Sequence, residues 1–236
     1  IAGFSISQNI NLIPKLDDAK NNLIHRGPDS DGIFLDLNQK IGLAHTRLSI
    51  LDLSISGNQP MISEDKKTII VFNGEIYNFL ELKQDLTNKG YLFKSNSDTE
   101  VLLNFYKSLK GDHKLIKNML NSLNGIFSFA LWDKVEKTLL IARDAFGVKP
   151  LYYLNKRNYF IFSSEVKSLL SMLDKNCERE SNLLDISALA KYVSYMWCPG
   201  EDTPLLNLKK VLPGEYMLIK EGQISLREEW FKLRES

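Results

Sequence analysis

Asn73 and Gly74 end the apolar run Ile69-Ile70-Val71-Phe72, and together they offer two hydrogen-bond donors. A side-chain amide and an unobstructed backbone N–H aimed at one point are what a developing oxyanion requires. The same dipeptide is also the strongest short signal for a hairpin turn. No second strand follows it, however. Phe79, Leu82 and Leu86 recur at helical spacing, with Lys83, Asp85 and Lys89 between them. The segment therefore reads as a buried strand that breaks at Asn73-Gly74 and turns into a helix. Strand ends and the turns after them are where rigid scaffolds present chemistry. Arg47 lies in a second strand-like run, Ile41 to Ile50. Its planar guanidinium suits a carboxylate, a surface ion pair being the plainer use. The three histidines, His25, His45 and His113, show no metal-ligand spacing. They form no Ser/His/Asp or Cys/His set with the rest of the chain.

The elements that must hold these residues can be traced by periodicity. Ile1 to Ser7 is strand-like, and a short helix begins near Pro14, where proline favours a helix start. His25 to Asp29 is a turn by composition. Strands at 32–36 and 41–50 flank Asn38-Gln39, and Met61 to Phe72 holds a strand pair around Glu64 to Lys67. The helix at 79–89 stops at Gly90, and Tyr91 to Phe93 reads as a brief strand. Ser97-Asp98-Thr99-Glu100 is a capping-box pattern ahead of an apolar helix, where Asp98 also complements the helix dipole. A further helix follows at 115–123. Next come hairpins at 126–143 and 151–162, and a short helix at 165–172. Beyond a polar stretch at 174–182 lie a helix at 186–196 and a hairpin at 215–227. Many hairpins with helices in two clusters imply an α+β fold of stacked antiparallel sheets covered by helices.

Composition narrows the function. The chain has 236 residues, a net charge of +1, 44% apolar and 25% charged residues. This is an ordinary globular balance. It gives no electrostatic reason to expect nucleic acid or a membrane surface as partner. No apolar run approaches the roughly 20 residues of a spanning helix. Two cysteines, Cys177 and Cys198, do not make a disulfide framework at this size, so a reducing cytoplasm is the default expectation.

The ordered series Ile1-Ala2-Gly3-Phe4, His25-Arg26-Gly27-Pro28-Asp29, His45-Thr46-Arg47-Leu48-Ser49-Ile50 and Phe72 to Asn78 is informative as a whole. It continues with Ser97 to Glu100, Arg143 to Tyr152 and Ser163-Ser164-Glu165-Val166-Lys167. The series resembles the glutaminase domain of glutamine-hydrolysing asparagine synthetases, a class II, N-terminal-nucleophile glutamine amidotransferase domain. The likeness covers roughly residues 1 to 185. It implies a four-layer α/β/β/α sandwich. It also implies hydrolysis of glutamine to glutamate and ammonia, the ammonia serving ATP-dependent amidation of aspartate in a downstream domain. By the resemblance Arg47 takes the glutamine α-carboxylate, Asp98 takes the α-ammonium, and Asn73 and Gly74 form the oxyanion hole. Leu48, Ser49, Ile50, Leu51 and Glu75 complete the substrate site, while Arg26 and Asp29 shape a loop beside it.

The family pattern begins Cys-Gly-Ile-Ala-Gly-Phe, and its cysteine is the nucleophile. That thiol is expected two residues upstream of Ile1, with its own α-amine as base. Neither Cys177 nor Cys198 suits the role. The pyrophosphate-binding Ser-Gly-Gly-x-Asp-Ser signature of the synthetase domain is not found in this sequence. No metal or cofactor is therefore expected here, ATP and Mg belonging to the downstream domain. Residues 186–236 resemble the connector leading into it, their helix and Trp230-Phe231 serving to dock it. Expected partners are L-glutamine and that synthetase domain in the same full-length chain, with a homodimer left open. Two other readings stand beside this one: a catalytically silent glutamine-binding or scaffolding module, and an amidotransferase for another acceptor such as a sugar carboxylate.

Overall fold

The structure, a computed structural model, describes residues 1–7, 12–173 and 183–233. Cys177 and the polar stretch around it lie outside these. Two six-stranded antiparallel sheets form the centre. One contains β1 (Ala2–Ile6), β2 (Ser30–Asp36), β3 (Ile41–Arg47), β8 (Tyr152–Lys156), β9 (Tyr159–Ser163) and β10 (Lys209–Lys210), in the order β10-β8-β9-β1-β3-β2. The other contains β4 (Met61–Ile62), β5 (Thr68–Ile76), β6 (Gly125–Asp133), β7 (Thr138–Arg143), β11 (Glu215–Lys220) and β12 (Gln223–Glu229), in the order β12-β11-β7-β6-β5-β4.

Successive side chains on a strand point to opposite faces, and here both faces are covered. Ile41, Leu43, Phe160 and Phe162 of the first sheet meet Ile69, Val71, Ile141 and Met217 of the second in a central apolar layer. On the outer face of the first sheet, Phe4 and Ala44 pack under α1 (Ile13–Asn21) and α5 (Val166–Ser171). On the outer face of the second, Phe72, Phe127 and Phe129 pack under α3 (Asp98–Ser108) and α4 (Ile116–Asn121). The result is the expected α/β/β/α sandwich. Each fully buried large apolar side chain contributes about 1.5–3 kcal/mol, which is why β7, apolar almost throughout, suits the middle of a sheet.

Three local expectations are corrected. The strand does not break at Asn73-Gly74; β5 continues to Ile76, with Asn73 opposite Ser128 and Gly74 opposite Phe127. The glycine serves a close approach instead of a turn: a Cβ there would lie 2.1 Å from the Ile126 carbonyl oxygen. The corner falls at Tyr77-Asn78, before α2 (Phe79–Asn88). Residues 91–93 form no strand. Nearby backbone is claimed by side chains: the Glu100 carboxylate accepts from the amides of Lys94 and Ser95, and Asn104 donates to the Leu92 carbonyl. Ser97 does cap α3, accepting from the Thr99 amide at 3.1 Å, but Glu100 reaches those earlier amides and not that of Ser97.

The stretch set apart at residue 186 joins both sheets. β10 pairs with β8, and β11 pairs with β7. Trp230, expected to dock another domain, is buried. It stacks on Phe127 at 6.0 Å and donates to the Arg143 carbonyl at 3.0 Å. The crossing from β7 to β8 is held by Arg143 and Asp144. The buried Asp144 carboxylate accepts from the amides of Phe127, Phe146, Val148 and Lys149. Arg143 donates to the carbonyls of Lys149, Gly147 and Val211. We expect Asp144→Ala to cost roughly 2–3 kcal/mol, because it strands the buried Phe127 amide and three part-buried ones at once. Urea denaturation with an unchanged m-value measures this. A loss under about 1 kcal/mol would show that strand pairing alone holds the crossing.

Candidate active site

β3 and β5 change character along their length. The side chains of β3 that face the second sheet are Ile41, Leu43, His45 and Arg47, and those of β5 that face the first are Ile69, Val71, Asn73 and Glu75. The first pair on each strand fills the apolar layer. The last pair on each lines a cavity of about 220 Å³. The site is thus the point where the layer between the sheets turns polar.

Asn73 is placed by the residue before it. Phe72 faces the helices, and its peptide groups are held from two sides. Its N–H donates to Gln59 Oε1 at 2.6 Å, and its carbonyl accepts from His45 Nε2 at 3.0 Å. Gln59 in turn donates to Thr99 Oγ1 at 3.3 Å, at the start of α3. Asn73 Nδ2 is buried without a hydrogen-bond partner, as is Nδ1 of His45. Buried polar atoms are normally paired, so each such exception asks for a reason.

Along an antiparallel strand, N–H groups alternate between the two edges. The N–H of Phe72 meets Gln59, and that of Ile76 donates to Asp98 Oδ2 at 3.0 Å. The N–H of Gly74 lies between them and shares their edge, away from β6. The Asn73 amide and the Gly74 N–H therefore approach the cavity as two donors.

Charge is distributed along the cavity. Arg47 is 7% exposed. Its Nη1 donates to the Ser54 carbonyl and Asn58 Oδ1, and its Nη2 to the carbonyls of Leu51 and Asp52. These partners are uncharged, so the guanidinium keeps its positive field while it holds the 51–58 loop in place. Gly57 allows that approach, since a Cβ there would meet Nη2 at 2.2 Å. Asp98 is 4% exposed. Burial holds its carboxyl above the usual carboxylate range, and the amide of Ile76 offsets part of this. Glu75 lines the same region.

Of the remaining expected residues, Leu48, Ile50 and Leu51 also line the cavity. Ser49 stands behind it, its amide donating to Asp29 Oδ2 at 2.7 Å. Arg26 lines the wall and is paired with Glu165 at 3.2 Å. Cys198 is buried away from the site, its Sγ 3.5 Å from the Ala188 carbonyl oxygen. Sequence reasoning assigned no role to His45, Gln59 or Lys149, all of which line the cavity. His45 was legible in principle: it is two residues before Arg47 on one strand, hence on the same face. Gln59 carried no such signal. Among the described residues, no group of three His, Cys, Asp or Glu side chains is arranged to hold a metal ion, and no helix is long and apolar enough to cross a membrane.

Comparison with known proteins places the chain in a family. A glutamine amidotransferase domain family matches residues 1–231. Asparagine synthetase [glutamine-hydrolyzing] 1 of Bacillus subtilis is 41% identical over 206 residues, which is 87% of this chain and 30% of that protein. Amidase chry2 of Gibberella zeae is 34% identical over 90% of this chain and 29% of its own length. The chain thus spans about a third of the length of the curated relatives it matches. Among solved structures, the B. subtilis glutamine phosphoribosylpyrophosphate amidotransferase superposes with a TM-score of 0.66 at 21% identity, over 98% of this chain and 49% of that one, and so shares the fold. A match along nearly the whole sequence, together with relatives at this identity, establishes that the chain belongs to the glutamine amidotransferase domain family.

Proposed function

We propose that the cavity binds L-glutamine as a zwitterion and cleaves its side-chain amide, releasing glutamate and ammonia. The observation that carries this is Asn73 Nδ2, a buried donor with no partner, in a cavity lined also by a cation held only by neutral oxygens and by a buried carboxylate. Arg47 takes the α-carboxylate and Asp98 takes the α-ammonium, with Glu75 beside it. Asn73 and the Gly74 N–H stabilise the oxygen of the tetrahedral intermediate.

Strand register indicates where a nucleophile would stand. β1 pairs with β3 as Ala2 opposite Ala44 and Gly3 opposite Leu43. Extended upstream, this register sets Ile1 opposite His45 and a residue two places earlier opposite Arg47. By alternation that residue shares the face of Ile1, which packs between the sheets, so its side chain would enter the cavity. A cysteine there would attack the carboxamide carbon through sulfur. The C–N bond breaks, the departing nitrogen takes up the thiol proton and leaves as ammonia, and a γ-glutamyl thioester remains. Water then cleaves the thioester to glutamate and restores the thiol.

The ammonia would serve a downstream ATP- and Mg-dependent domain that amidates an acid, aspartate by analogy with the B. subtilis relative. The fraction of the relatives covered supports this, and so does the surface of α6 (Ile186–Tyr195). Ile186 and Val193 on this helix, with Met196 and Trp197 after it, are 73%, 76%, 77% and 59% exposed. An apolar patch of this kind marks an interaction site, and we assign it to that domain. In the full-length protein, Val193→Glu with Met196→Glu should leave glutamine hydrolysis intact and lower the asparagine formed per glutamine consumed. Unchanged coupling would remove α6 from the interface.

With Cys-Gly ahead of Ile1, the protein should release ammonia from glutamine; with Ala-Gly it should bind glutamine without turnover. Binding without turnover in the cysteine form would favour a silent glutamine-binding module. In the active form, Arg47→Ala should chiefly raise KM, a charge-assisted contact being worth about 1.5–3 kcal/mol. Asn73→Ala should lower kcat by roughly 10²–10³. Steady-state kinetics separate the two, and exchanged effects would reverse the assigned roles.

Asp98 gives a pH test. Its folded-state pKa lies above the unfolded value of about 3.9, so its ionised form costs stability. That cost is absent below the unfolded pKa and grows as pH rises through the folded one. The stability of Asp98→Asn relative to the parent should therefore improve as pH rises above about 4, while glutamine affinity falls by about tenfold or more. Urea denaturation across pH and calorimetric titration read the two effects. A stability difference independent of pH would contradict the perturbed carboxyl.

A further inference from the structure

Two residues that line the cavity each carry a buried atom without a partner, Asn73 Nδ2 and His45 Nδ1. The other ring nitrogen, Nε2, lies 3.0 Å from the Phe72 carbonyl oxygen. A carbonyl only accepts, so Nε2 carries the proton and Nδ1 is left as a bare lone pair. Burial holds the imidazole pKa well below its ordinary value, so the ring stays neutral and Nδ1 is not a proton donor. An enclosed acceptor with no donor costs free energy. Retaining one is reasonable where a ligand brings the donor.

The two unpartnered atoms are complementary. Asn73 Nδ2 donates and His45 Nδ1 accepts. Both are indexed to Phe72, His45 through its bond to the carbonyl and Asn73 as the next residue in β5. A primary carboxamide carries on a single carbon an oxygen that accepts and an N–H₂ that donates. A carboxylate has acceptors at both positions, and an ester has no N–H. We propose that His45 is a specificity-determining positioning residue whose Nδ1 accepts from the N–H₂ of the substrate carboxamide while Asn73 Nδ2 donates to its oxygen. The proposal rests on the glutaminase reading above and deepens it. The site then reads amide against ester and acid, and the glutamate product sets a carboxylate lone pair against that of Nδ1, which favours its departure. His45 orients the amide nitrogen without supplying its proton.

Two substitutions separate the ring nitrogens. His45→Gln keeps an amide N–H near the Nε2 position, and so the tether to Phe72, but lacks an acceptor at Nδ1. His45→Asn keeps an acceptor oxygen near Nδ1 and lacks the tether. In the full-length protein bearing its cysteine, kcat/KM is measured for L-glutamine and for L-glutamic acid γ-methyl ester. His45→Gln should lower the amide-to-ester ratio about tenfold. His45→Asn should hold the ratio within about twofold while both rates fall. Equal losses on both substrates in His45→Gln would mean a merely structural histidine and overturn the proposal. Should a variant not fold, the chain with native His45 and its cysteine changed to alanine decides: glutamine should bind about tenfold more tightly than the methyl ester, and equal affinities overturn it. A native protein inert toward both substrates would instead sink the glutaminase reading itself.

Discussion

Two sheets packed face to face impose one constraint on everything else: each strand must alternate, and the residues turned inward must match what lies between the sheets. Ile41 and Leu43 on β3, with Ile69 and Val71 on β5, fill an apolar layer. Two residues further on, the same faces carry His45 and Asn73, then Arg47 and Glu75. The geometry that buries the first residues carries the later ones to a cavity. Placing the site at the end of the layer makes its walls as rigid as the core. It also explains why Asn73 belongs to a strand and not to a turn, since a residue within a paired ladder has far less freedom than one in a loop.

That rigidity is used to hold groups in costly states. Asn73 Nδ2 and His45 Nδ1 are buried without partners, and burial keeps the Asp98 carboxyl above its ordinary range. Each lowers the stability of the free protein. Around them, neighbouring groups are fully engaged. The Phe72 peptide is held by Gln59 and His45, and the Ser49 amide by Asp29. The division is that expected of a preorganised site: supporting groups satisfied, ligand-facing groups waiting.

The second half of the chain completes the scaffold. The crossing between sheets at Arg143-Asp144 delivers Lys149 to the cavity wall, and Gly214 ties the final hairpin to the same crossing through the Asp144 carbonyl. β11 then covers the free edge of β7. An uncovered edge of that kind would pair with other chains, so the hairpin is needed for a self-contained fold. This is the reason Trp230 turns inward while the apolar residues of α6 remain at the surface.

Sequence alone determined the fold class and most of the element boundaries, and it named several of the residues that line the cavity. Strand and helix periodicity, Pro14, Gly90 and the Ser97 cap are local signals, and local signals survive without knowledge of packing. The resemblance added the expectation that Arg47, Asn73, Gly74 and Asp98 share one substrate, which periodicity could not supply. Tertiary structure decided the rest. Asn73 and Gly74 look like a break because Asn-Gly so often makes a turn; partnership with β6 kept them in a strand. Residues 91–93 look like a strand, but Glu100 and Asn104 took up the local polar groups. Gln59 reads as an ordinary loop residue, yet its side chain takes the Phe72 amide across the gap that β4 leaves. Long-range hydrogen bonding settles each of these cases, and a single strand or loop read by itself carries no record of its partner.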